Sequence, residues 1–375
     1  TYEGAENSIG NLLSIRAEKN PEKTALVFGN QKMTYQELKQ RVDSLGNKLR
    51  EEGIGQGDAV AIVAKRSMEM ILAIYAVQTI GAAYVPIDPE NPKDRVAFII
   101  HDAKPKAVCT YQAKLSLDDS QKVKIFDLAD EALYEGTEKL ESVDNKERAA
   151  SYIYTSGTTG NPKGVMNTEK GLLNTLFWMK QTYQLGEDEN FLLKTNYTFD
   201  VSETEIFLFA ATGGTLVIAE PGMEKDPMGL AEIIYQNKVT MVNFVPSMLN
   251  SFLATMEANQ GSLKNLSSLS MACAAGEALE MDTVKQFYQL LEGVADGIQL
   301  VNAYGPTEAS IYATACVCHK DDRKVYIGKP VGNAQIYIIA DNGLCGINTL
   351  GELCIGGTGV AKGYVNLPEL TEERF

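Results

Sequence analysis

At 375 residues with 45% hydrophobic side chains, the chain is long enough for a large buried core divided among two or three lobes. Its 34 Lys and Arg stand against 49 Asp and Glu, a net charge of −15 with no basic run, which excludes sequence-independent nucleic-acid binding. The longest apolar stretch is too short for a membrane span, the first residues are polar and acidic, and six scattered cysteines with two histidines make no zinc pattern, so a soluble, cytoplasmic protein with free thiols is expected.

Over the first 110 residues helical and strand patterns alternate. Thr34 and Glu37 make a capping box, and Leu38, Val42, Leu45 and Leu49 follow at helical spacing up to a stop at Gly53. Residues 59–63 read as a buried strand, 70–80 as a helix ended by Gly81, 83–87 as a strand, 94–102 as a helix and 107–110 as a strand. The polar stretch 114–147, strand-like only at 123–126, reads as a surface excursion between two lobes. Strands follow near 151–154, 191–194, 215–218, 240–244, 269–273 and 298–302, with helices at 202–211, 227–237, 246–256 and 281–291. After Tyr326 the pattern changes to short strands, 335–339 and 352–355, separated by turns. The expectation is an α/β protein: two lobes of mainly parallel sheet flanked by helices, near 1–112 and 148–325, plus a small β-rich lobe at 326–375.

Residues 154–164, Tyr-Thr-Ser-Gly-Thr-Thr-Gly-Asn-Pro-Lys-Gly, run from an apolar strand into a loop of small residues. Thr155, Ser156, Gly157, Thr158, Thr159, Gly160 and Lys163 offer backbone N–H groups, hydroxyls and a cation to phosphate oxygens. The spacing is not that of a Walker A loop, because Lys163 follows Pro162 and precedes Gly164. Composition alone fits a Ser/Thr/Gly surface linker equally well. The segment resembles the phosphate-loop signature of the adenylate-forming superfamily: acyl-CoA synthetases, luciferases and the adenylation domains of nonribosomal peptide synthetases. Further motifs match in family order. They are Thr34-Tyr35-Gln36-Glu37-Leu38, residues 81–88, Phe199-Asp200-Val201-Ser202, Asn302 through Glu308, and Gly351-Glu352-Leu353 through Gly363-Tyr364. The resemblance spans residues 34–364.

That resemblance implies an enzyme that joins a carboxylate to ATP, with Thr155, Lys163 and Glu308 catalytic and Glu308 holding Mg²⁺. Residues 155–160 and Lys163 would bind the phosphates, and Gly276, Glu277, Asn302, Ala303, Tyr304, Gly305 and Thr307 the rest of the nucleotide, with Tyr304 stacked on adenine. In peptide-synthetase members the carboxylate at Asp200 pairs with the substrate's ammonium group, which points to an α-amino acid; read alone, Phe-Asp-Val-Ser is a helix cap. Val201, Thr204, Asn243, Cys273, Ala275, Ala303, Ile311 and Tyr312 match the side-chain pocket. None is charged, so an uncharged, apolar or aromatic amino acid is expected; Glu203 and Glu205 leave a basic one open, although both read as a solvated helix face.

The implied partners are a carrier domain, whose phosphopantetheine thiol takes the acyl group, and other synthetase modules; no nucleic acid and no membrane are expected. The chain ends at Phe375, before the family's Thr-Gly-Asp motif and the small subdomain carrying its catalytic lysine. The expectation is therefore a large N-terminal subdomain that binds substrates but is nearly inactive. An acyl-CoA or other acid–thiol ligase, and a non-catalytic nucleotide- or amino-acid-binding module, are the competing readings.

Overall fold

The computed structural model describes residues 2–115, 123–156, 161–340 and 343–375. Helix α1 (Ile9–Lys19), capped by Ser8, leads into a hairpin of β1 (Thr24–Phe28) and β2 (Gln31–Thr34). The expected capping box is formed: Glu37 N–H donates to Thr34 Oγ1, and Thr34 N–H to the Glu37 carboxylate, starting α2 (Tyr35–Glu51). Strand β3 (Ala59–Ala64), helix α3 (Met68–Thr79), strand β4 (Ala83–Ile87), helix α4 (Lys93–Ala103) and strands β5 (Ala107–Tyr111) and β6 (Lys124–Asp127) follow. Next come the antiparallel pair β7 (Ala149–Thr155) and β8 (Lys163–Thr168), α5 (Glu169–Thr182), β9 (Asn190–Leu193), α6 (Val201–Thr212) and β10 (Thr215–Ile218).

The chain continues through α7 (Pro227–Asn237), β11 (Met241–Phe244), α8 (Pro246–Ala258), β12 (Met271–Ala274), α9 (Met281–Leu291), β13 (Gln299–Tyr304), β14 (Thr314–Cys318) and β15 (Lys329–Pro330). Strands β16 (Ala334–Ala340), β17 (Gly343–Leu344) and β18 (Glu352–Gly357) form the expected small antiparallel sheet before α10 (Pro368–Arg374).

Among the described residues the two larger sheets run β15-β14-β13-β12-β11-β9-β10-β1-β2 and β6-β5-β3-β4-β7-β8, parallel except at their outer strands. Sheet membership departs from lobes cut at 112 and 148. The β1–β2 hairpin joins the later sheet, with Leu26, Val27 and Phe28 opposite Leu216, Val217 and Ile218. The β7–β8 hairpin extends the earlier sheet beside β4. The stretch 114–147 is also not a plain surface excursion. Leu128, Tyr134 and Leu140 are buried, and the Ser44 hydroxyl donates to Leu133 O at 2.8 Å while accepting from Gly136 N–H at 2.8 Å. Their apolar anchors are too widely spaced to give a periodic signal. Among the described residues no helix is long and apolar enough to cross a membrane.

Helix α6 is buried along nearly its whole length between the two sheets. On one side Tyr84 of β4 donates to Glu203 at 3.0 Å; on the other Asn243 of β11 donates to Thr204 at 3.0 Å.

A buried ion pair joins the start of α5 to strand β7. Arg148 Nη2 lies 3.1 Å from Glu169 Oε1, which also accepts from the N–H of Ile9 at 2.8 Å; the two side chains are 2% and 0% exposed. Removing one partner leaves the other charged and unpaired. Arg148→Met should therefore lower unfolding free energy by ~3–5 kcal/mol in urea titrations. Adding Glu169→Gln should restore part of that loss.

Candidate functional site

The described flanks of the phosphate-type segment pair as strands β7 and β8. Thr155 at the end of β7 is registered opposite Lys163 at the start of β8. Gly157, Thr158, Thr159 and Gly160 lie outside the described residues; Ser156 is exposed, and Thr155 Oγ1 is buried without a partner. Strand β8 was not legible in the sequence. It aims Lys163 at Glu308: Nζ donates to Glu308 Oε1 at 3.0 Å and to the Tyr364 hydroxyl at 2.8 Å. The Tyr364 hydroxyl in turn donates to Glu308 Oε1 at 2.6 Å, and Lys163 Nζ lies 4.3 Å from the Tyr364 ring centroid. Tyr364 is held because its segment pairs with the free edge of β8: Met166 N–H donates to Gly363 O at 3.0 Å and Val365 N–H to Gly164 O at 2.8 Å. Its sequence motif was visible, but without β8 nothing assigned it a place beside Lys163.

Strands β13 and β14 form a second hairpin, whose connection holds Gly305 to Ala313. Ala313 N–H donates to Tyr304 O at 2.8 Å, closing the loop. A Cβ at Gly305 would sit 2.6 Å from the Ile311 carbonyl oxygen and 2.7 Å from the Ala313 nitrogen, so a glycine is required. Tyr304 is 40% exposed for an aromatic ring of its size, as a stacking surface needs. Thr307 and Glu308 lie in a short 3-10 turn (Thr307–Ala309). Beyond it Ser310 and Ile311 take φ of 53° and 80°. For a β-branched residue this is a strained conformation. It is clamped by Ser310, whose hydroxyl donates to Gly359 O at 2.7 Å and whose carbonyl accepts from Thr175 at 2.9 Å. The turn buries Ile311 and Tyr312 against the core.

Asn243, Cys273, Ala275 and Ala303, expected to line the side-chain pocket, lie toward the C-terminal ends of β11, β12 and β13, where open α/β sheets bind ligands. Asn243, Cys273 and Val301 are side by side in register, with Ala275 and Ala303 just beyond. Thr204 reaches this layer from α6 through its bond to Asn243, and Val201 and Asp200 lie at the start of the same helix. Glu203 and Glu205 do not form a solvated face. Both are buried: Glu203 accepts from Tyr84, and Glu205 accepts from Thr195 N–H at 3.0 Å, its hydroxyl at 2.7 Å and Asn243 at 3.2 Å. Two expected nucleotide contacts are engaged elsewhere. Glu277, after Gly276 at φ 89°, accepts from Ser247 N–H and Oγ at the start of α8, and Asn302 donates to Tyr326 O at 2.8 Å.

The electrostatics separate two carboxylates. Burial disfavours the Glu308 anion, but bonds from Tyr364 and Lys163 outweigh it and hold the group below the usual carboxylate range. Asp200 is lifted to about 6, chiefly by burial and further by the charge of Glu308, against a lowering contribution from the Thr307 hydroxyl. Its Oδ2 is buried with no hydrogen-bond partner. Glu203 is pushed up to about 7 by burial, with Asp200 adding to it. The site thus pairs an ionised carboxylate beside a lysine with a buried, unpaired one short of a cation. Among the described residues no cluster of three His, Cys, Asp or Glu side chains could cage a metal. Glu308 nevertheless fits a Mg²⁺ that takes one carboxylate and completes its shell with phosphate oxygens and water.

The chain matches the AMP-binding enzyme family over residues 13–365. It is 42% identical over 371 residues to one of the linear gramicidin synthase proteins of Brevibacillus parabrevis, 98% of this chain but 7% of that protein. Against zwittermicin A synthase ZmaJ of Bacillus cereus it is 38% identical over 373 residues, covering 98% and 70%. Among solved structures it resembles the nonribosomal peptide synthetase FmoA3 bound to alpha-methyl-L-serine-AMP, with a TM-score of 0.89, 26% identity and coverage of 98% and 41%. It also resembles the Klebsiella oxytoca NpsA N-terminal subdomain in complex with 3-hydroxyanthranilyl-AMSN, with a TM-score of 0.83, 25% identity and coverage of 98% and 91%.

Because the folded-state pKa of Asp200 is raised from 3.8 to about 6, its ionised form opposes folding above about pH 6. That penalty, on the order of 3 kcal/mol by the shift alone, fades as pH falls through 6 toward 4. Asp200→Asn should therefore stabilise the ligand-free protein by ~1–3 kcal/mol at pH 7.5 and by much less at pH 4.5, read by chemical denaturation at both pH values.

Proposed function

This chain belongs to the AMP-binding enzyme family as an adenylate-forming domain of the nonribosomal peptide synthetase kind, and we propose that it activates an uncharged α-amino acid with ATP. The carrying observation is Asp200: a buried carboxylate oxygen with no partner, at the start of the helix that bears Thr204, while the other residues expected to meet the substrate are neutral. Such a group is stable as an anion only when a cation meets it, and the α-ammonium group of an amino acid is the cation this substrate class brings. In this reading the amino acid's carboxylate oxygen attacks the α-phosphorus of ATP, and the bond to pyrophosphate breaks.

Lys163 and the segment before it would receive the phosphates, and Tyr304 the adenine face. Thr307, whose hydroxyl acts on Asp200 and which precedes Glu308 in the same 3-10 turn, would meet the α-phosphate. Glu308 would hold Mg²⁺, which supplies charge neutralisation as negative charge gathers on the phosphate oxygens. In the ligand-free chain the Glu308 bond to Lys163 keeps the carboxylate ionised.

The chain spans 7% of the linear gramicidin synthase protein and 10% of tyrocidine synthase 2, also of Brevibacillus parabrevis. Transfer of the acyl group to a carrier domain's phosphopantetheine thiol, within a larger cytoplasmic synthetase, is accordingly part of the proposal.

Calorimetric titration with the common amino acids and a non-hydrolysable Mg·ATP analogue tests the central role. Asp200→Ala should weaken amino-acid binding at least about 100-fold while nucleotide binding stays within a factor of a few. Unchanged amino-acid affinity in the variant would remove the reading.

A further inference from the structure

Two hydrogen-bonding atoms at the pocket end of α6 have no partner: Asn243 Oδ1 and the Tyr312 hydroxyl. Both residues are 2% exposed, so neither atom is rescued by bulk water. The orientation of the Asn243 amide is forced by its neighbours. Its Nδ2 donates to Thr204 Oγ1 at 3.0 Å and to Glu205 Oε1 at 3.2 Å. Thr204 has its hydroxyl hydrogen committed to Val201 O at 2.8 Å, so toward Asn243 it acts only as an acceptor. Glu205 likewise receives Lys194 N–H at 3.2 Å together with the N–H and hydroxyl of Thr195. Turning the amide over would set its oxygen against two acceptors. Asn243 Oδ1 therefore points away from them with both lone pairs free.

A buried carbonyl left bare bears its desolvation cost with no bond in return. The surrounding side chains do not offset this: Cys273, in register with Asn243, and Ala275 and Ala303 give space but no strong donor. Burial pushes the Tyr312 phenol up, and Cys273, Asp200 and Glu205 act in the same direction against a lowering contribution from the Thr204 hydroxyl, so the phenol stays protonated. Charge at the ligand's tip is also disfavoured. An anion would face Asn243 Oδ1 and Glu205. A cation would be opposed by Lys194, which is buried with its ammonium 4.5 Å from the Phe244 ring centroid and close enough for its charge to act on Glu205.

Resting on the amino-acid reading above, the geometry points to a substrate whose side chain ends in a neutral group bearing an N–H or O–H donor, received by Asn243 Oδ1 and completed by the Tyr312 hydroxyl. An apolar side chain would fill the space left by the small residues and strand both polar atoms. A site built to hydrogen-bond a ligand rejects the analogue lacking that group far more strongly than an apolar pocket separates two hydrocarbons.

The test uses near-isosteric pairs on the full chain, titrated calorimetrically with a non-hydrolysable Mg·ATP analogue: glutamine against methionine, tyrosine against phenylalanine and threonine against valine, with glutamate and lysine as charged controls. The tightest ligand should be a donor-bearing member, preferred at least about 100-fold over its partner. Asn243→Leu should cut that preference at least tenfold, and Tyr312→Phe, which removes only an oxygen, should cut it measurably. Nucleotide binding reports that both variants are folded. An apolar or charged amino acid as the tightest ligand would overturn the proposal, as would a preference unchanged in both variants. If no amino acid binds while nucleotide does, or if Asp200→Ala leaves binding intact, the amino-acid reading fails and takes this inference with it.

Discussion

The structure is organised around the burial of one helix with a charged first turn. Helix α6 carries Asp200 at its start and Glu203 and Glu205 one turn on, yet it lies between two sheets with almost no access to water. Its polar groups must therefore be met by the protein. The Tyr75 hydroxyl donates to Ile206 O and the Tyr35 hydroxyl to Phe209 O, each at 3.0 Å. Arg16 reaches Ala210 O at 3.0 Å and Ala211 O at 2.8 Å, and Lys180 reaches Ala211 O at 3.1 Å. Two cations on the last carbonyls also match the negative end of the helix dipole. These partners come from α1, α2, α3 and α5, so the surrounding helices are tied to the one that bears the site.

With that many partners at one end, the other end is where satisfaction stops. Asp200 Oδ2, Glu203 Oε2 and Asn243 Oδ1 are all buried and unmatched. The nearby hairpin connection between β13 and β14 is also under strain, at Ser310 and Ile311. Unmet polarity and backbone strain occur together at this end of α6, as they would at a site prepared for a ligand. The phosphate side differs. There Lys163, Glu308 and Tyr364 satisfy one another, and in the proposed reaction the Lys163–Glu308 pair would rearrange to receive phosphate and metal.

Much of this was legible in the sequence where one physical signal dominated. The capping box at Thr34 and Glu37, the apolar run of β3, and the helices started by Pro227 and Pro246 all formed within a few residues of expectation. The motifs located Glu308, Lys163 and Asp200 because their order along the chain is distinctive. Helices α1 and α5 and strands β1, β2, β8 and β14 were not read from the sequence; the edge strands β2 and β8 lack a continuous apolar run. Missing them hid the exchange of hairpins between sheets and the place of Tyr364. Glu203 and Glu205 were misread because a charged helix residue is normally solvated; only tertiary partners such as Tyr84 and Thr195 reveal that these two are not.

The most direct test of the central claim is proton release on amino-acid binding, measured calorimetrically in buffers of different ionisation enthalpy. If Asp200 titrates near 6 when the site is empty and is ionised when it meets an ammonium group, binding at pH 6 should release about half a proton. The release should shrink toward zero by pH 8 and vanish in any residual binding by Asp200→Asn. Binding without proton release across that range, or with release unchanged in the variant, would contradict the claim that this buried carboxylate receives the substrate's cation.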